Sequence, residues 1–277
     1  MLQYNFNQVR FIPNKDKTYY FELVYTIQEA SEKQSDRVIG IDLGLNNLLT
    51  VVSNFTKPII YSGKELERVN IKYDEKIDVL KSKAKKSNNK DATQKVNSLY
   101  HKKNRITQNY LHNITSQVVN FAERNDVSKV VIGYNQGWKQ NSELGWKNRL
   151  FNETGFKQLI EMIKYKCKLL GIKVELITEE YTSKCSSFDL DELQHQVKYV
   201  GRRVFRGLFR TAKGLLVNAD VNGALNILRK FLGDAWFKIN FLDKPAVLGF
   251  LVNPVKKHLL LCGCGVNKIS YRSHKRL

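Results

Sequence analysis

Three acidic positions in this sequence could do chemistry together. Asp42 ends one apolar run, Glu179 or its neighbour Glu180 follows another, and Asp220 opens an amphipathic helical segment. Because the carboxyl ends of parallel strands meet at one edge of a sheet, we expect these side chains to lie close together. Grouped carboxylates are hard oxygen ligands of the kind Mg²⁺ prefers, and two bound ions can stabilise both the attacking and the leaving oxygen at a phosphodiester. The pattern therefore predicts a two-metal phosphodiesterase site.

Two of these residues also have an ordinary structural explanation. Asp42 precedes a glycine and asparagine turn, which it could cap by hydrogen bonding its own backbone. Asp220 lies in the first turn of its predicted helix, where the helix dipole favours a carboxylate. Against this, an ionised carboxylate at the end of a buried strand is costly unless it is paired or bound to metal. From its own stretch alone, Asp42 fits a turn cap and a site equally well.

The elements that must position the acids alternate between strand and helix. Apolar runs predict a three-strand meander, and lysine-rich segments with apolar residues at helical spacing predict two long helices after it. A strand, a helix, a strand and a final helix follow. The predicted strands are 37–44, 48–53, 58–61, 127–133 and 173–178, and the predicted helices are 64–86, 92–125, 156–170 and 218–230. This order is used by the ribonuclease H-like fold, an α/β architecture with a mixed sheet and flanking helices.

A basic stretch lies between the second and third acidic positions. No acid occurs between Glu192 and Asp220, and cations alternate there with aromatic residues. The cations are Lys198, Arg202, Arg203, Arg206, Arg210 and Lys213, and the aromatics are Tyr199, Phe205 and Phe209. A charge run is usually only a solvated face, but this mixture suits phosphate contact and base stacking. We therefore predict a nucleic-acid contact at these six cations.

The overall charge also favours a polyanionic partner. The 277 residues include 46 Lys and Arg against 26 Asp and Glu, which gives a formal charge of +20. Nucleic acid fits better than an anionic membrane, because the long helical region mixes acids with its lysines. No apolar run approaches a bilayer span, and the first residues lack the pattern of a signal peptide. We expect a cytoplasmic monomer without a membrane partner.

Four motifs in this order resemble those of one family. They are Gly40-Ile41-Asp42-Leu43-Gly44 with Asn47 and Thr50, Ile132-Gly133-Tyr134-Asn135 with Trp138-Lys139-Gln140, Glu179-Glu180-Tyr181-Thr182-Ser183-Lys184, and Asn218-Ala219-Asp220-Val221-Asn222-Gly223. Over roughly residues 15–235 the chain resembles the RuvC nuclease part of TnpB proteins, the OrfB-type transposases of insertion sequences, which are similar to type V CRISPR effectors. The resemblance implies RNA-guided DNA cleavage with two Mg²⁺ (or Mn²⁺) ions, a guide RNA and DNA as partners, Asp42 as the first catalytic acid and Asp220 as the last.

The middle acid departs from the commoner family pattern. Most relatives end the fourth strand with Glu, whereas this chain has Gly133, which cannot bind metal. A subset of the family, like the eukaryotic Fanzor relatives, instead uses a Glu just before the Tyr-Thr-Ser motif. By its spacing from Tyr181 that residue is Glu179, with Glu180 as the alternative. We expect Glu179 to reach the same metals from the neighbouring strand while the glycine leaves room for it.

Two further features of the family are missing from the sequence. Many relatives carry a four-cysteine zinc module before the last Asp, whereas only Cys185 lies there, so we predict no zinc. The other cysteines are Cys167, Cys262 and Cys264, and no two cysteines form a C-x-x-C pair. Relatives also carry an amino-terminal recognition and wedge region, of which almost nothing stands before Tyr4. The resemblance therefore implies an amino-terminally truncated member or a piece of an interrupted gene.

We accordingly predict four regions. A remnant β segment of a wedge, or oligonucleotide-binding, domain comes first, and the nuclease domain is interrupted by a basic insert that loads nucleic acid. The regions are the remnant (1–35), the RuvC-like domain (36–180 with 219–235), the insert (181–218) and a basic tail (236–277). From Lys244 onward the tail has no acids, and we expect it to be loosely ordered.

Two other functions stay open on the sequence alone. Actin- and Hsp70-type ATPases open with a similar Ile-Gly-Ile-Asp-Leu-Gly strand, but this chain is far more basic and shows no second glycine-rich phosphate loop containing Asp. A non-cleaving RNA-guided DNA-binding protein, or an inactive transposase fragment, is the alternative from another class. Such derivatives are expected to lose active-site acids, whereas Asp42, Glu179 and Asp220 are all present.

Overall fold

A mixed sheet of seven strands organises the protein. The computed structural model describes residues 4–13, 18–27, 30–88, 93–135, 155–260 and 268–272. The strands are β1 (Tyr4–Pro13), β2 (Tyr19–Ile27), β3 (Val38–Leu43), β4 (Asn47–Ser53), β5 (Ile59–Ser62), β6 (Lys129–Gly133), β7 (Lys173–Ile177), β8 (Arg202–Phe205), β9 (Leu208–Arg210), β10 (Leu216–Asn218), β11 (Val255–Leu260) and β12 (Lys268–Arg272). The helices are α1 (Lys64–Asn88), α2 (Gln94–Arg124), α3 (Phe156–Lys168), α4 (Ala219–Leu232), α5 (Asp234–Phe237) and α6 (Pro245–Leu251), with a π-helical turn at Lys238–Leu242.

The strand order puts β3 in the interior of the sheet, between β4 and β6. Across the sheet the order is β12-β11-β5-β4-β3-β6-β7. β4 runs antiparallel to β3 and to β5, whereas β6 runs parallel to β3 and β7 parallel to β6. The carboxyl ends of β3, β5, β6 and β7 therefore meet at one edge, which we call the carboxyl edge. This mixed sheet with flanking helices confirms the predicted α/β, ribonuclease H-like fold.

Two hydrophobic cores cover the two faces of the sheet. On one face, apolar residues of α2 and α3, such as Ile114 and Ile163, pack on β3 and β4. On the other face, α4 packs so closely that a Cβ at Gly40 would lie 2.5 Å from Leu228 Cγ. Burial on both faces explains why β3 is a nearly continuous apolar run. It also fixes the first turn of α4 beside the end of β3. Among the described helices, none combines the length and the apolarity that crossing a membrane requires.

The amino-terminal β segment forms a separate hairpin. β1 and β2 pair antiparallel in a sheet of their own, within the segment 1–35 that is predicted to form β structure. Its aromatic side chains are exposed, including Phe11 and Phe21, whose rings meet edge to face at 4.7 Å. Its assignment as a wedge remnant stays a prediction.

The tail differs from its prediction. Loose order was expected from Lys244 onward, but α6 buries Val247 and Leu251 in the core beneath α4, and β11 joins the central sheet parallel to β5. That expectation was wrong for residues 245–260, because an acid-free, lysine-containing segment can still pair as a strand when a sheet edge offers its backbone a partner, as β5 does here. Two parts of the predictions, Trp138-Lys139-Gln140 and the pair Cys262 and Cys264, lie outside the described residues.

Candidate active site

Asp42 lies at the carboxyl edge, one residue before the end of β3. It faces α4, since a Cβ at Gly223 would lie 3.3 Å from Asp42 Oδ2. The pKa of Asp42 is raised well above its usual range by burial, then by the negative charges of Glu179 and Asp220. Arg203 and a backbone hydrogen bond with Leu43 act in the opposite direction. The three predicted acids are therefore close enough to repel one another, which a simple turn cap does not explain.

Asp220 reaches the site from the first turn of α4. Asn218 caps this helix, its Oδ1 accepting from the backbone N–H groups of Asp220 and Val221 at 3.0 and 3.2 Å. The Asp220 carboxylate accepts a hydrogen bond from Asn47 Nδ2 at 2.5 Å and lies 3.8 Å from Arg203 Nη2. Asn47 belongs to β4, so the helix carboxylate is directed to the edge of the sheet. The helix dipole favours this position but does not supply these contacts.

Glu179 occupies the space that Gly133 leaves open. A Cβ at Gly133 would lie 2.8 Å from both Cγ and Oε1 of Glu179. Glu179 Oε1 is buried and has no hydrogen-bond partner among the described residues. Burial raises the pKa of Glu179 to about 7. Glu180, the alternative, is exposed. The structure thus brings Glu179 to the end of β6, as the spacing argument expects, and leaves Glu180 outside.

Two buried asparagines of α4 hold the loop that follows Glu179. Asn226 Nδ2 donates to the backbone carbonyls of Thr182 and Cys185 at 2.9 and 2.7 Å. Asn222 Nδ2 also donates to Cys185 O, and its Oδ1 accepts from the backbone and hydroxyl of Ser187. The sequence reasoning assigned them no role. The available signal was two asparagines spaced i, i+4 on an otherwise apolar helix face. A buried amide needs a hydrogen-bond partner, so this spacing indicates a polar contact on that face.

The donor set fits a divalent cation by its chemistry. Three carboxylates supply hard oxygen ligands, and three nearby oxygens are buried without a partner among the described residues: Glu179 Oε1, Asn47 Oδ1 and Thr50 Oγ1. Thr50 lies opposite Asp42 in the β3–β4 register. The described ranges contain no group of three or more His, Cys, Asp or Glu side chains already arranged to hold an ion. Asp220 instead points to Asn47 and Arg203.

The basic insert folds beside these acids as a small sheet. β8, β9 and β10 pair antiparallel, and all six predicted cations are exposed. Arg203 approaches Asp220, and Arg206 donates to Asn46 at 2.7 and 3.1 Å when the Asn46 amide oxygen faces it. A cavity of about 460 Å³ is lined by Lys184, Tyr199, Arg202, Arg203 and Phe209, among others. Cationic and aromatic side chains therefore adjoin the acidic centre. Cys185 is buried and donates to Glu192 O, and the absence of zinc stays a prediction.

Two family models match the segments of the chain that contain these acids. The OrfB_IS605 family model, described as "Probable transposase", matches residues 22–139, which include β3 with Asp42. A second model, "Cas12f1-like, TNB domain", matches residues 156–227, which include Glu179, the insert and Asp220. Together the two models cover more than half of the chain, in the order in which the sequence motifs occur. The chain belongs to the TnpB (OrfB) family.

Individual relatives agree with this family. The chain is 27% identical over 235 residues to a TnpB-like protein, ORF457, of Acidianus two-tailed virus, a match that covers 82% of this chain and 48% of the relative. It is 25% identical over 228 residues to the CRISPR-associated endodeoxyribonuclease Cas12f2 of Micrarchaeota archaeon (strain CG1_02_47_40), covering 78% of this chain and 41% of the relative. The chain thus spans about half the length of the curated relatives it matches.

Solved structures show the same fold for this TnpB-family chain. It superposes on Cas12f1 from a cryo-EM structure of a Cas12f1-sgRNA-target DNA complex with a TM-score of 0.54 at 19% identity, covering 82% of this chain and 66% of the other. A CRISPR-Cas12f ternary complex gives a TM-score of 0.53 at 18% identity, covering 76% and 42%. At these identities the likeness concerns the fold.

Proposed function

We propose that this TnpB-family chain carries the nuclease centre of a transposon-associated, RNA-guided DNA endonuclease that hydrolyses phosphodiester bonds. Asp42, Glu179 and Asp220 are its catalytic acids, and they hold two Mg²⁺ or Mn²⁺ ions. The observation that carries the proposal is the meeting of three carboxylates from distant parts of the chain at the carboxyl edge, with the pKa values of Asp42 and Glu179 both raised. A protein gains nothing in stability from such repulsion, so a cationic ligand is the natural reason for it.

Each residue has a distinct part in this proposal. Asp42 is held by the sheet and Glu179 by the asparagine-bound loop that follows it, so these two acids are positioned before any ligand arrives. Bound Mg²⁺ would supply a Lewis acid for the phosphate and lower the pKa of the attacking water. Asp220 can leave Arg203 and bind the same ions as Asp42 and Glu179, because its ion pair with Arg203 is long, partly exposed and therefore weak. Arg203, released from it, is placed to contact the phosphate backbone.

DNA and a guide RNA are the proposed partners. Two similar proteins support this, since one is an endodeoxyribonuclease and the other was solved in a complex with sgRNA and target DNA. The exposed cations of the insert support it independently, since they adjoin the acidic centre and suit a nucleic-acid backbone. Lys198, Arg202, Arg206, Arg210 and Lys213 would hold the strand while its scissile bond meets the acids.

A nicking assay on single-stranded DNA tests the proposal. We expect cleavage that requires Mg²⁺ and disappears in Asp42→Ala. Mg²⁺ should also raise the melting temperature of the wild type and not that of Asp42→Ala, which reports binding of the ion without cleavage. Equal behaviour of the two proteins over a full metal titration would refute the nuclease. Binding of DNA without any cleavage would favour the non-cleaving alternative.

A pair of neighbouring variants tests the middle acid. Glu179→Gln should abolish nicking, because its carboxylate faces the site, whereas the exposed Glu180→Gln should retain it. Both variants remove one negative charge from adjacent positions, so they match in net charge. Equal activity in the two would contradict the assignment of Glu179.

A further inference from the structure

The strand β11 extends the carboxyl edge beyond the strands that carry the family motifs. It pairs parallel with β5, which is itself parallel to β3, so its chain direction brings Lys256, Lys257 and His258 towards the carboxyl edge. In an open sheet this edge is where ligands bind. β11 lies beyond both family matches, which end at residue 227.

The register places Lys256 in the same row as Asp42. Lys256 is opposite Ile60, Ile60 is opposite Thr50, and Thr50 is opposite Asp42. Residues directly opposite one another project from the same face of a sheet. That face is the one covered by α4, because Ile60 belongs to the core around α4 and Asp42 adjoins Gly223. Three strand spacings of about 4.8 Å put Lys256 on the order of 14 Å from Asp42, which a few nucleotides of a bound strand can span.

The surroundings of Lys256 point to an anion. Lys256 is half-buried, and within the described ranges it makes no hydrogen bond or ion pair, although it is close enough to Asp220 and Lys64 to interact with both charges. Its pKa is lowered by burial and by Lys64, and raised by Asp220. Glu65, the acid next to Lys64, is already paired with Arg68 at 2.6 and 3.0 Å. The positive charge of Lys64 repels that of Lys256, and a phosphate bound by both side chains would replace this repulsion with attraction.

We propose that Lys256, together with Lys64, forms a phosphate-binding subsite that holds the DNA strand at the carboxyl edge of the sheet, on the side of β11. The subsite rests on the proposed nuclease function for its role, because its ligand is the backbone of the strand whose bond is cut beside Asp42. Lys256 is a positioning residue here. It contacts a phosphate a few nucleotides from the scissile bond and aligns the strand along the row from β11 to β3.

The neighbouring residue supplies a matched control. Lys257 carries the same charge on the same strand, but it is opposite Tyr61 and its Nζ lies 5.4 Å from the Tyr61 ring centroid, on the face covered by α2 and α3. A change from Lys to Gln at either position removes one positive charge from β11. Only the change at Lys256 removes it from the face that carries the acids.

Binding of a labelled oligothymidylate in EDTA, with the full chain, tests the subsite without cleavage. Lys256→Gln should weaken binding several-fold and reduce the slope of log affinity against log salt by about 0.7, the value for one phosphate contact to a single strand. Lys256→Arg should restore both values. Lys257→Gln should bind like the wild type, and the melting temperatures of all variants should agree. An unchanged slope in Lys256→Gln, an equal loss in Lys257→Gln, or no binding by the wild type would overturn the subsite.

The same variants separate this proposal from the function on which it rests. If Lys256→Gln loses affinity and salt dependence but the wild type shows no Asp42-dependent nicking, the subsite stands and the nuclease fails. If nicking depends on Asp42 while Lys256→Gln leaves the KM for single-stranded DNA unchanged, the nuclease stands and the subsite fails. A raised KM with unchanged kcat in Lys256→Gln supports both.

Discussion

Gly133 is the position where one methyl group should decide whether Glu179 can serve the site. A Cβ there would lie 2.3 Å from Ile227 Cδ1 and 2.8 Å from Glu179 Cγ and Oε1, and essentially no real Cβ atom has a neighbour within 3.0 Å. Ile227 is fully buried on α4 and cannot turn away into solvent. In Gly133→Ala, therefore, either α4 shifts or Glu179 is displaced, and both changes oppose the observed packing.

The cost of this substitution follows from the two contacts. Overpacking of a buried site costs about 1–3 kcal/mol, which lowers the melting temperature by about 2–10 °C for a chain of this size. Nicking should fall much further, because the displaced carboxylate belongs to the acidic centre. The glycine therefore matters here for space and not for backbone freedom.

A second substitution divides the two effects. Ile227→Val removes Cδ1, the closer of the two obstacles, at a cost of about 0.5–1.5 kcal/mol by itself. The double variant should lose less stability than the two single variants lose together, because the contact with Ile227 Cδ1 is gone. Nicking should stay low, because the 2.8 Å approach to Glu179 remains. Full activity in Gly133→Ala would refute the packing of Glu179 against Gly133. Restored activity in the double variant would show that α4, and not Glu179, transmits the effect.

Two further predictions concern the acids and the loop beside them. In EDTA, the raised pKa values of Asp42 and Glu179 mean that the folded chain binds their protons more tightly than the unfolded chain. The contribution of these two groups to folding stability should therefore be fully present below their usual pKa values and be lost as pH rises through about 7, the pKa of Glu179. Melting temperatures of the wild type and of Glu179→Gln between pH 5 and 8 check this. The variant should show a smaller fall in melting temperature with pH, and Mg²⁺ should remove the fall in the wild type. An equal fall in both proteins would contradict the prediction. Asn226→Ala should cost about 1–3 kcal/mol, because the Thr182 carbonyl loses its donor and the Cys185 carbonyl keeps only Asn222, and chemical denaturation measures this cost. A loss below that range would mean that water replaces the amide.

The sequence predicted more of the fold than of the site. The meander, the long helices and the parallel additions follow from the apolar periodicity, because burial on one or both faces of an element imposes its own spacing. Val38–Leu43 and Phe156–Lys168 lie within two residues of the predicted bounds. β11 was missed, since an isolated strand of six residues with two lysines and a histidine resembles a solvated tail until a sheet edge is available for pairing.

The candidate site divides in the same way. The sequence by itself determined which acids stand at element ends, because the spacing of apolar residues marks those ends locally. Asp42, Glu179 and Asp220 are the three acids so marked, and they are the predicted metal ligands. Only the tertiary structure decided the rest. It placed Glu179, and not Glu180, in the space beside Gly133, buried Asn222 and Asn226 against the loop, and brought Lys256 into the row of Asp42. These are relations between distant residues, and sequence periodicity carries no information about which distant surfaces meet.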